Sequence, residues 1–458
     1  MSVIGWLLLS AVVPGAAHLR AGWRKTGLAL LGCYVAGLLA LLWIVLSTDN
    51  LLGKLTENSW LTTITVTAAV LGAVWFGLIV HSFVVLRPSR MAQGGQILAG
   101  TLAGLLAVAV VLPFGVVTQY VWVYQKTLND VFVNDPVERQ VQAPVSEEDP
   151  WAGRDRVNIL LLGGDADDNR IGVRTDSMNL ASVDAKTGNT VLISLPRNLE
   201  DVRFRPGTPM AEHFPTGFRL PPDPGGGRSD LLNSVWEYAD AHPELFGGKQ
   251  HQGPQVLMDT IGYTLGLKVD WYALVNMWGL ARLIDAIGGV TITVEQDVVF
   301  GKYNEGLVKA GTRKLKGADA MWYARSRTYS DDYTRMRRQR CVLAALLDQA
   351  DPATVLTSFN KIALATKDLV KTDIPRPMLQ HLVPLALKVK NAKVTSIQFV
   401  PPLINTGSPD WDKIRTIAQK TIRTSANPPA VAMSPKPAKT PDPTGSPTKD
   451  LSEGCGVT

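Results

Sequence analysis

Cysteine is scarce and badly spaced for metal work. The 458-residue chain has three, Cys33, Cys341 and Cys455, and none has the short spacing that a zinc site needs. Cys33 lies in an apolar run, so the one pairing left open is Cys341 with Cys455, provided both face an oxidising exterior. A strong net charge is also missing. Lys+Arg 46 against Asp+Glu 40 gives +6, too little over this length for a global basic field to select a polyanion, so any local cluster must be judged by itself. No internal repeat is visible between residues 151 and 424, and that stretch reads as a single globular domain of ordinary size. Lysine is absent from the most basic stretch of all, residues 323–341, "YARSRTYSDDYTRMRRQRC", which holds six arginines.

Apolar side chains are abundant. They make up 46% of the chain, and the mean hydropathy of +0.08 is high for a purely soluble protein. Residues 27–47, 61–83 and 96–119 carry no charge over about the 20 residues that a helix needs to cross a bilayer, and we read them as three membrane helices. The segment 3–18 is interrupted by Pro14 and Gly15, which leaves open a short span, a re-entrant hairpin or an interfacial stretch. It is not a signal peptide, because its basic residues follow the apolar core. Arg20, Arg24 and Lys25 precede the first long segment, and Arg87 and Arg90 lie between the second and third. Basic short loops stay in the cytoplasm, so the loop 48–60 and everything after about residue 124 are expected outside it. An exported domain does not meet chromosomal DNA or cellular RNA, and nucleic acid is therefore not expected as the partner of the arginine stretch.

Residues 124–150 read as a polar connector and 151–424 as the exported domain. The tail 425–458, rich in Pro, Ser, Thr and Lys, reads as disordered, because it has too few apolar side chains to offset its ordering entropy. Within the domain, 157–163, 177–184, 189–195, 290–295 and 393–399 read as strands, while 255–267, 279–289, 316–323, 335–349, 353–370 and 376–390 read as helices. Residues 203–229 carry Pro and Gly densely enough for a long loop. The interleaving gives an α/β or α+β fold, a central mixed sheet covered by helices.

Three blocks could carry chemistry. "GGDADDNRIGVRTDSM", 163–178, offers Asp165 and Asp176, with Asp167 and Asp168 nearby, as the oxygen ligands that Mg²⁺ accepts beside phosphate. The bland alternative makes them turn formers. A calcium loop fits poorly, because Arg170 stands where glycine makes the turn and Asp176 where a bidentate glutamate belongs. In "ISLPRNLED", 193–201, Arg197 follows a buried strand, at the carboxyl end where ligands gather. In 323–341, an extended "YARSR" puts Tyr323, Arg325 and Arg327 on one side, and a helix from about Tyr333 puts Arg335 and Gln339 on one face. Arginine grips phosphate with a planar fork that keeps its charge, so the lack of lysine favours positioned phosphate binding over a merely solvated charged face.

Together these blocks resemble the LytR-CpsA-Psr family of cell-envelope proteins over about 156–350: "NILLLGGDADD", "RTDSMNLASVDAKTGNTVLISLPRN", "LKVDWYALVNMWGLARLIDAIGGVTITV", "AGTRKLKGADAMWYARSR" and "DDYTRMRRQR". The resemblance implies a membrane-anchored, extracytoplasmic phosphotransferase that moves a glycopolymer from a polyprenyl-diphosphate carrier onto peptidoglycan, with Mg²⁺ or Mn²⁺. It implies Asp165 and Asp176 as metal ligands, and Arg174, Arg197, Arg325, Arg327, Arg335 and Gln339 as the diphosphate grip. Arg197, Arg325, Arg327 and Asp176 would be nearest the chemistry. The chain departs from the family at Gly164, commonly Ser or Thr, at Asn198, commonly acidic, mildly at Thr334, and in having more than a single anchor. The same residues would also serve a non-catalytic polyprenyl-diphosphate sensor or scaffold, or a lipid pyrophosphatase. For the lipid we expect an apolar groove lined by parts of 255–285 and 353–390.

Overall fold

The computed structural model describes residues 3–48, 50–132, 149–165, 174–222, 227–351, 354–355, 370–426, 448–451 and 455. Contacts divide the chain into two compact units, Met1–Leu128 and Asn129–Thr458.

The first unit is helical. Val3–Val12 and Ala16–Arg20 are separated at Pro14 and Gly15. Gly15 takes φ +98°, and a Cβ there would come within 2.4 Å of the Gly27 carbonyl oxygen, so the turn requires glycine. Ten residues rise only about 15 Å, half of the roughly 30 Å hydrocarbon core, and Val3–Val12 cannot span by itself. Arg24–Ser47, Asn58–Val85 and Gln93–Val131 are long and apolar enough to cross a membrane. They contain the three segments expected from the sequence. The last helix runs past residue 124 into the expected connector, because "YVWVYQKTLNDV" holds neither Gly nor Pro to stop it. The rest of that connector, 133–148, lies outside the described residues.

The second unit is built on a seven-stranded sheet of β1 (Arg156–Asp165), β2 (Arg174–Asp184), β3 (Thr190–Leu195), β4 (Trp271–Asn276), β9 (Val370–Thr372), β10 (Val394–Gln398) and β11 (Thr448–Asp450), in the order β11-β10-β3-β2-β1-β4-β9. β1 runs parallel to β4 and β3 parallel to β10, and the other pairs are antiparallel. Alternation along the strands sorts their side chains to two faces. Leu160, Leu162, Leu180 and Ile193 enter a core completed by Leu257, Ile261 and Leu265 of helix Gly253–Leu265 and by Ile414, Ala418 and Ile422 of helix Trp411–Ala426. Leu161, Ala181 and Leu192 point the other way, onto Leu343, Ala344 and Leu347 of helix Asp332–Gln349. The mixed sheet covered by helices is therefore as expected.

A smaller core lies beside it. β5 (Val290–Val294) pairs with β8 (Gly311–Leu315), β6 (Val298–Phe300) pairs with β7 (Gly306–Val308), and Ile284, Tyr323, Val342 and Ala345 pack against them. The strand expected at 290–295 exists, but in this hairpin and not in the main sheet. The expected loop 203–229 is irregular where described except for Pro209–His213, a short helix capped by Thr208. Most of the expected helix 353–370 lies outside the described residues.

Two expectations change. "YARSR" is not extended: Gly317–Arg325 is a helix, Tyr323 is buried in the smaller core, and only Ser326 to Asp331 form a loop. The run "GADAMWYAR" consists mostly of good helix formers, which outweighs the alternation of Tyr and Arg. In the tail, Thr448–Asp450 pairs with Thr395–Ile397, and Cys455 forms a disulfide with Cys341, Cα atoms 5.2 Å apart. Composition argued for disorder, but a covalent tether removes much of the ordering cost and a sheet edge supplies the backbone bonds. Residues 427–447 lie outside the described residues.

Candidate functional site

The site begins with an irregularity in pairing. Gly163 faces Ser177 but Gly164 faces Thr175, so Asp176 is the extra residue of a β-bulge where the carboxyl end of β1 meets the start of β2. A bulge re-aims the side chain it carries. The carboxyl end of β3 lies alongside, since Leu195 pairs with Met178, and two residues on, after Pro196, comes Arg197. Its carbonyl accepts from the Asn233 amide at 3.1 Å, which fixes the loop.

Helix Asp332–Gln349 brings the remaining groups. Asp331 caps it, accepting from the Thr334 amide at 2.7 Å. Asp332 and Arg335 follow on one face, one turn apart. Arg327 sits in the preceding loop, which is pinned by Ser326: its hydroxyl donates to the Val299 carbonyl at 2.5 Å, and its carbonyl accepts from Arg338 at 3.0 Å.

Three arginines converge on two carboxylates. Asp176 Oδ1 lies 2.5 Å from Arg197 Nη1 and 3.9 Å from both Arg327 Nη2 and Arg335 Nη1. Asp332 Oδ1 lies 3.4 Å from Arg197 Nε, 3.5 Å from Arg327 Nε and 3.1 Å from Arg335 Nη2. Arg335 also donates to the Asp176 carbonyl at 3.1 Å. Three positive and two negative groups leave +1 (3 − 2). Only 1% of the Arg335 side chain is exposed, and burial pushes its pKa down to about 10, against the pull of Asp332. Its Nε is buried without a hydrogen-bond partner. A cavity opens beside the cluster, lined among others by Asp176, Ser177, Asn179, Ser194, Arg197 and Gln339. Ser194 donates to Asn179 Oδ1 at 2.5 Å, and Asn179 Nδ2 to Ser177 at 2.9 Å, so its polar wall is itself hydrogen-bonded. An arrangement of converging guanidinium groups, with Arg197 lining a polar cavity, suits an anion with several oxygens.

Of the residues singled out from sequence, Arg197, Arg327, Arg335 and Asp176 are brought together, and Gln339 lines the same cavity. Arg174 pairs with Glu237 at 2.8 Å. Arg325 ends its helix with its guanidinium 5.5 Å from the Trp322 ring centroid. Asp165 ends β1, but its side chain, like Asp167, Asp168 and Arg170, lies outside the described residues. Among the described residues, no group of three or more His, Cys, Asp or Glu side chains is placed to hold a metal. Part of the expected lipid groove, 356–369, is also outside them, and Leu257, Ile261 and Leu265 are committed to the main core. Sequence reasoning missed Asp332. The available signal was the pair "DD" one turn before Arg335: one aspartate can cap the helix, and the second is then free for the arginines.

Residues 120–408 match the model of the LytR_cpsA_psr family. A relative from Enterococcus faecalis, named polyisoprenyl-teichoic acid–peptidoglycan teichoic acid transferase TagU, is 27% identical over 62% of this chain and 81% of its own length. A TagU from Oceanobacillus iheyensis is 30% identical over 50% of this chain and 62% of its own length. Among solved structures, TagV of B. subtilis is 22% identical, with a TM-score of 0.40 over 59% of this chain and 97% of that one.

Proposed function

The chain belongs to the LytR_cpsA_psr family, and from that premise we propose that it is a membrane-anchored, extracytoplasmic phosphotransferase of cell wall assembly. It moves a glycopolymer from a polyprenyl-diphosphate carrier onto peptidoglycan. The observation that carries the reading is the convergence of Arg197, Arg327 and Arg335 with Asp176 beside one polar cavity. The names of the relatives, transferases of teichoic acid to peptidoglycan, support the substrate class.

Phosphoryl transfer asks a protein mainly for positioning and for charge neutralisation at the phosphate oxygens. The guanidinium groups of Arg197, Arg327 and Arg335 bind the diphosphate, and Gln339 donates at the cavity wall. An acceptor hydroxyl attacks the sugar-bearing phosphorus. The new O–P bond forms as the bond to the bridging oxygen breaks, and polyprenyl phosphate leaves with that electron pair. The hydroxyl proton passes to a nearby carboxylate or to solvent.

Asp176 also fits a hard cation, since Mg²⁺ takes one or two carboxylates together with phosphate oxygens. Asp176, with Asp165, would hold Mg²⁺ or Mn²⁺, which would supply further neutralisation of phosphate charge. Arg197 now occupies the Asp176 carboxylate at 2.5 Å. Arrival of a diphosphate gives that guanidinium another anion and frees the carboxylate.

The test is release of polyprenyl phosphate by the full-length protein in detergent, given Mg²⁺, a polyprenyl-diphosphate-linked glycan and peptidoglycan. Arg327→Ala should lower the rate on the order of 100-fold or more. Wild-type rates in that variant would overturn the reading, and hydrolysis indifferent to added peptidoglycan would make the protein a pyrophosphatase.

A further inference from the structure

Three guanidinium groups this close repel one another, so something must hold them together before an anion arrives. We infer that Asp332 is the standing counter-ion that keeps Arg197, Arg327 and Arg335 convergent in the free protein, a positioning residue for the transfer. This inference rests on the reading of the site as a diphosphate cradle.

Asp176 is poorly suited to that task. It has one short contact, to Arg197, and two at 3.9 Å. It stands on a bulge and lines the cavity, where substrate or a cation competes for it. Asp332 instead reaches all three arginines through one atom, Oδ1, at 3.1–3.5 Å. That oxygen is sealed from solvent and has no aligned hydrogen bond; its contacts are ionic.

The position of Asp332 in the fold makes its charge durable. It occupies the first turn of its helix, where the macrodipole favours a carboxylate. Its neighbour Asp331 already serves as the cap, so Asp332 is not needed there. The ordinary explanation, an i,i+3 pair with Arg335, accounts for one contact of three. Arg197 and Arg327 come from other segments, and no helical spacing brings them to the same oxygen. The two carboxylates thus divide the work: Asp176 exchanges, Asp332 stays. Were Asp176 to bind a cation, the three arginines and Asp332 would still leave +2 (3 − 1) in one place for the diphosphate.

The experiment uses the full-length protein in detergent and the variants Asp332→Asn and Asp332→Glu. In Asp332→Asn the arginines lose their common anchor while the site gains one positive charge. kcat should fall about 10- to 100-fold, as expected for misplaced binding groups, while KM stays level or drops. Asp332→Glu should recover part of kcat. Independently of transfer, inorganic pyrophosphate should raise the Tm of Asp332→Asn by more than it raises that of the wild type, because the anion replaces the missing counter-ion. Wild-type kcat in folded Asp332→Asn, a KM increase with kcat unchanged, or equal pyrophosphate increments would each overturn the inference. If Asp332→Asn does not fold, Asp332→Glu decides: a lowered kcat at constant KM supports the role, and wild-type kinetics overturns it. Wild-type protein that gains Tm with pyrophosphate but releases no polyprenyl phosphate would sink the transferase reading, leaving this inference to the Tm increments alone.

Discussion

Arg335 is a charge placed where a charge is expensive. Burial brings its pKa down to about 10, so the folded chain binds that proton less tightly than the unfolded chain does. At neutral pH the buried charge therefore opposes folding, and this opposition fades only as pH rises past about 10. A group kept under such conditions belongs to function more than to stability. Arg335→Met should accordingly abolish transfer, by about 100-fold or more. It should change folding stability by no more than about 1–2 kcal/mol in either direction, because Asp332 keeps Arg197 and Arg327 as partners and no carboxylate is left alone. Denaturant melts beside the polyprenyl phosphate assay check this, and a large loss of stability would make Arg335 a structural residue. Arg327 and Arg335 could be found from sequence because the absence of lysine marks out their stretch, and Arg197 because it follows the end of a buried strand. Asp332 was passed over, because either aspartate of "YSDDYTR" reads as a cap by itself, and it is the bond from the Thr334 amide that gives that place to Asp331 and leaves Asp332 to the arginines.

At the scale of elements, the Cys341–Cys455 disulfide ties the end of the chain to the helix that carries Arg335, closing a loop of 114 residues. Cys341 is two residues past Gln339, so the tether lies next to the site. Cys455→Ser should lower stability by about 2–4 kcal/mol and free the strand Thr448–Asp450 from the sheet edge. Denaturant melts with and without reductant and limited proteolysis of the tail check both. Melting equal to wild type, with an equally resistant tail, would show that edge pairing alone holds the strand. β1, β2 and β3 were legible because short, largely apolar runs are framed by turn residues, as in "AKTGN" between β2 and β3. β4 was not: "WYALVN" passes straight into a helix, with Asn276 both ending the strand and capping that helix. The helix Trp411–Ala426 was missed because its sequence, "WDKIRTIAQKTIRTSA", is polar around a narrow stripe of Ile414, Ala418 and Ile422. The site was legible as a set of residue types, whereas its geometry depends on the bulge at Asp176, and bulges are properties of pairing.

For the whole molecule, the proposed placement of the second unit outside the membrane rests on two independent features. The basic residues Arg20, Arg24, Lys25, Arg87 and Arg90 flank the long apolar helices in an order that would hold residues 20–25 and 87–95 inside. The disulfide fits an oxidising compartment, and both of its cysteines lie beyond the last apolar helix. Three crossings, by Arg24–Ser47, Asn58–Val85 and Gln93–Val131, would satisfy both conditions, because an odd number takes the chain from inside to outside. Fusions of alkaline phosphatase, which is active only after export, should therefore be active after residue 55 and after residue 150 and inactive after residue 90. Replacing Arg87 and Arg90 with glutamate should weaken the contrast, since it removes the charge that retains that loop. In cells, Cys341 and Cys455 should resist alkylation until reductant is added. An inactive fusion after residue 150, together with freely alkylated cysteines, would put the arginine cluster in the cytoplasm. Nucleic acid and soluble phosphates would then return as partners, and a carrier lipid with its sugar outside the membrane would be excluded.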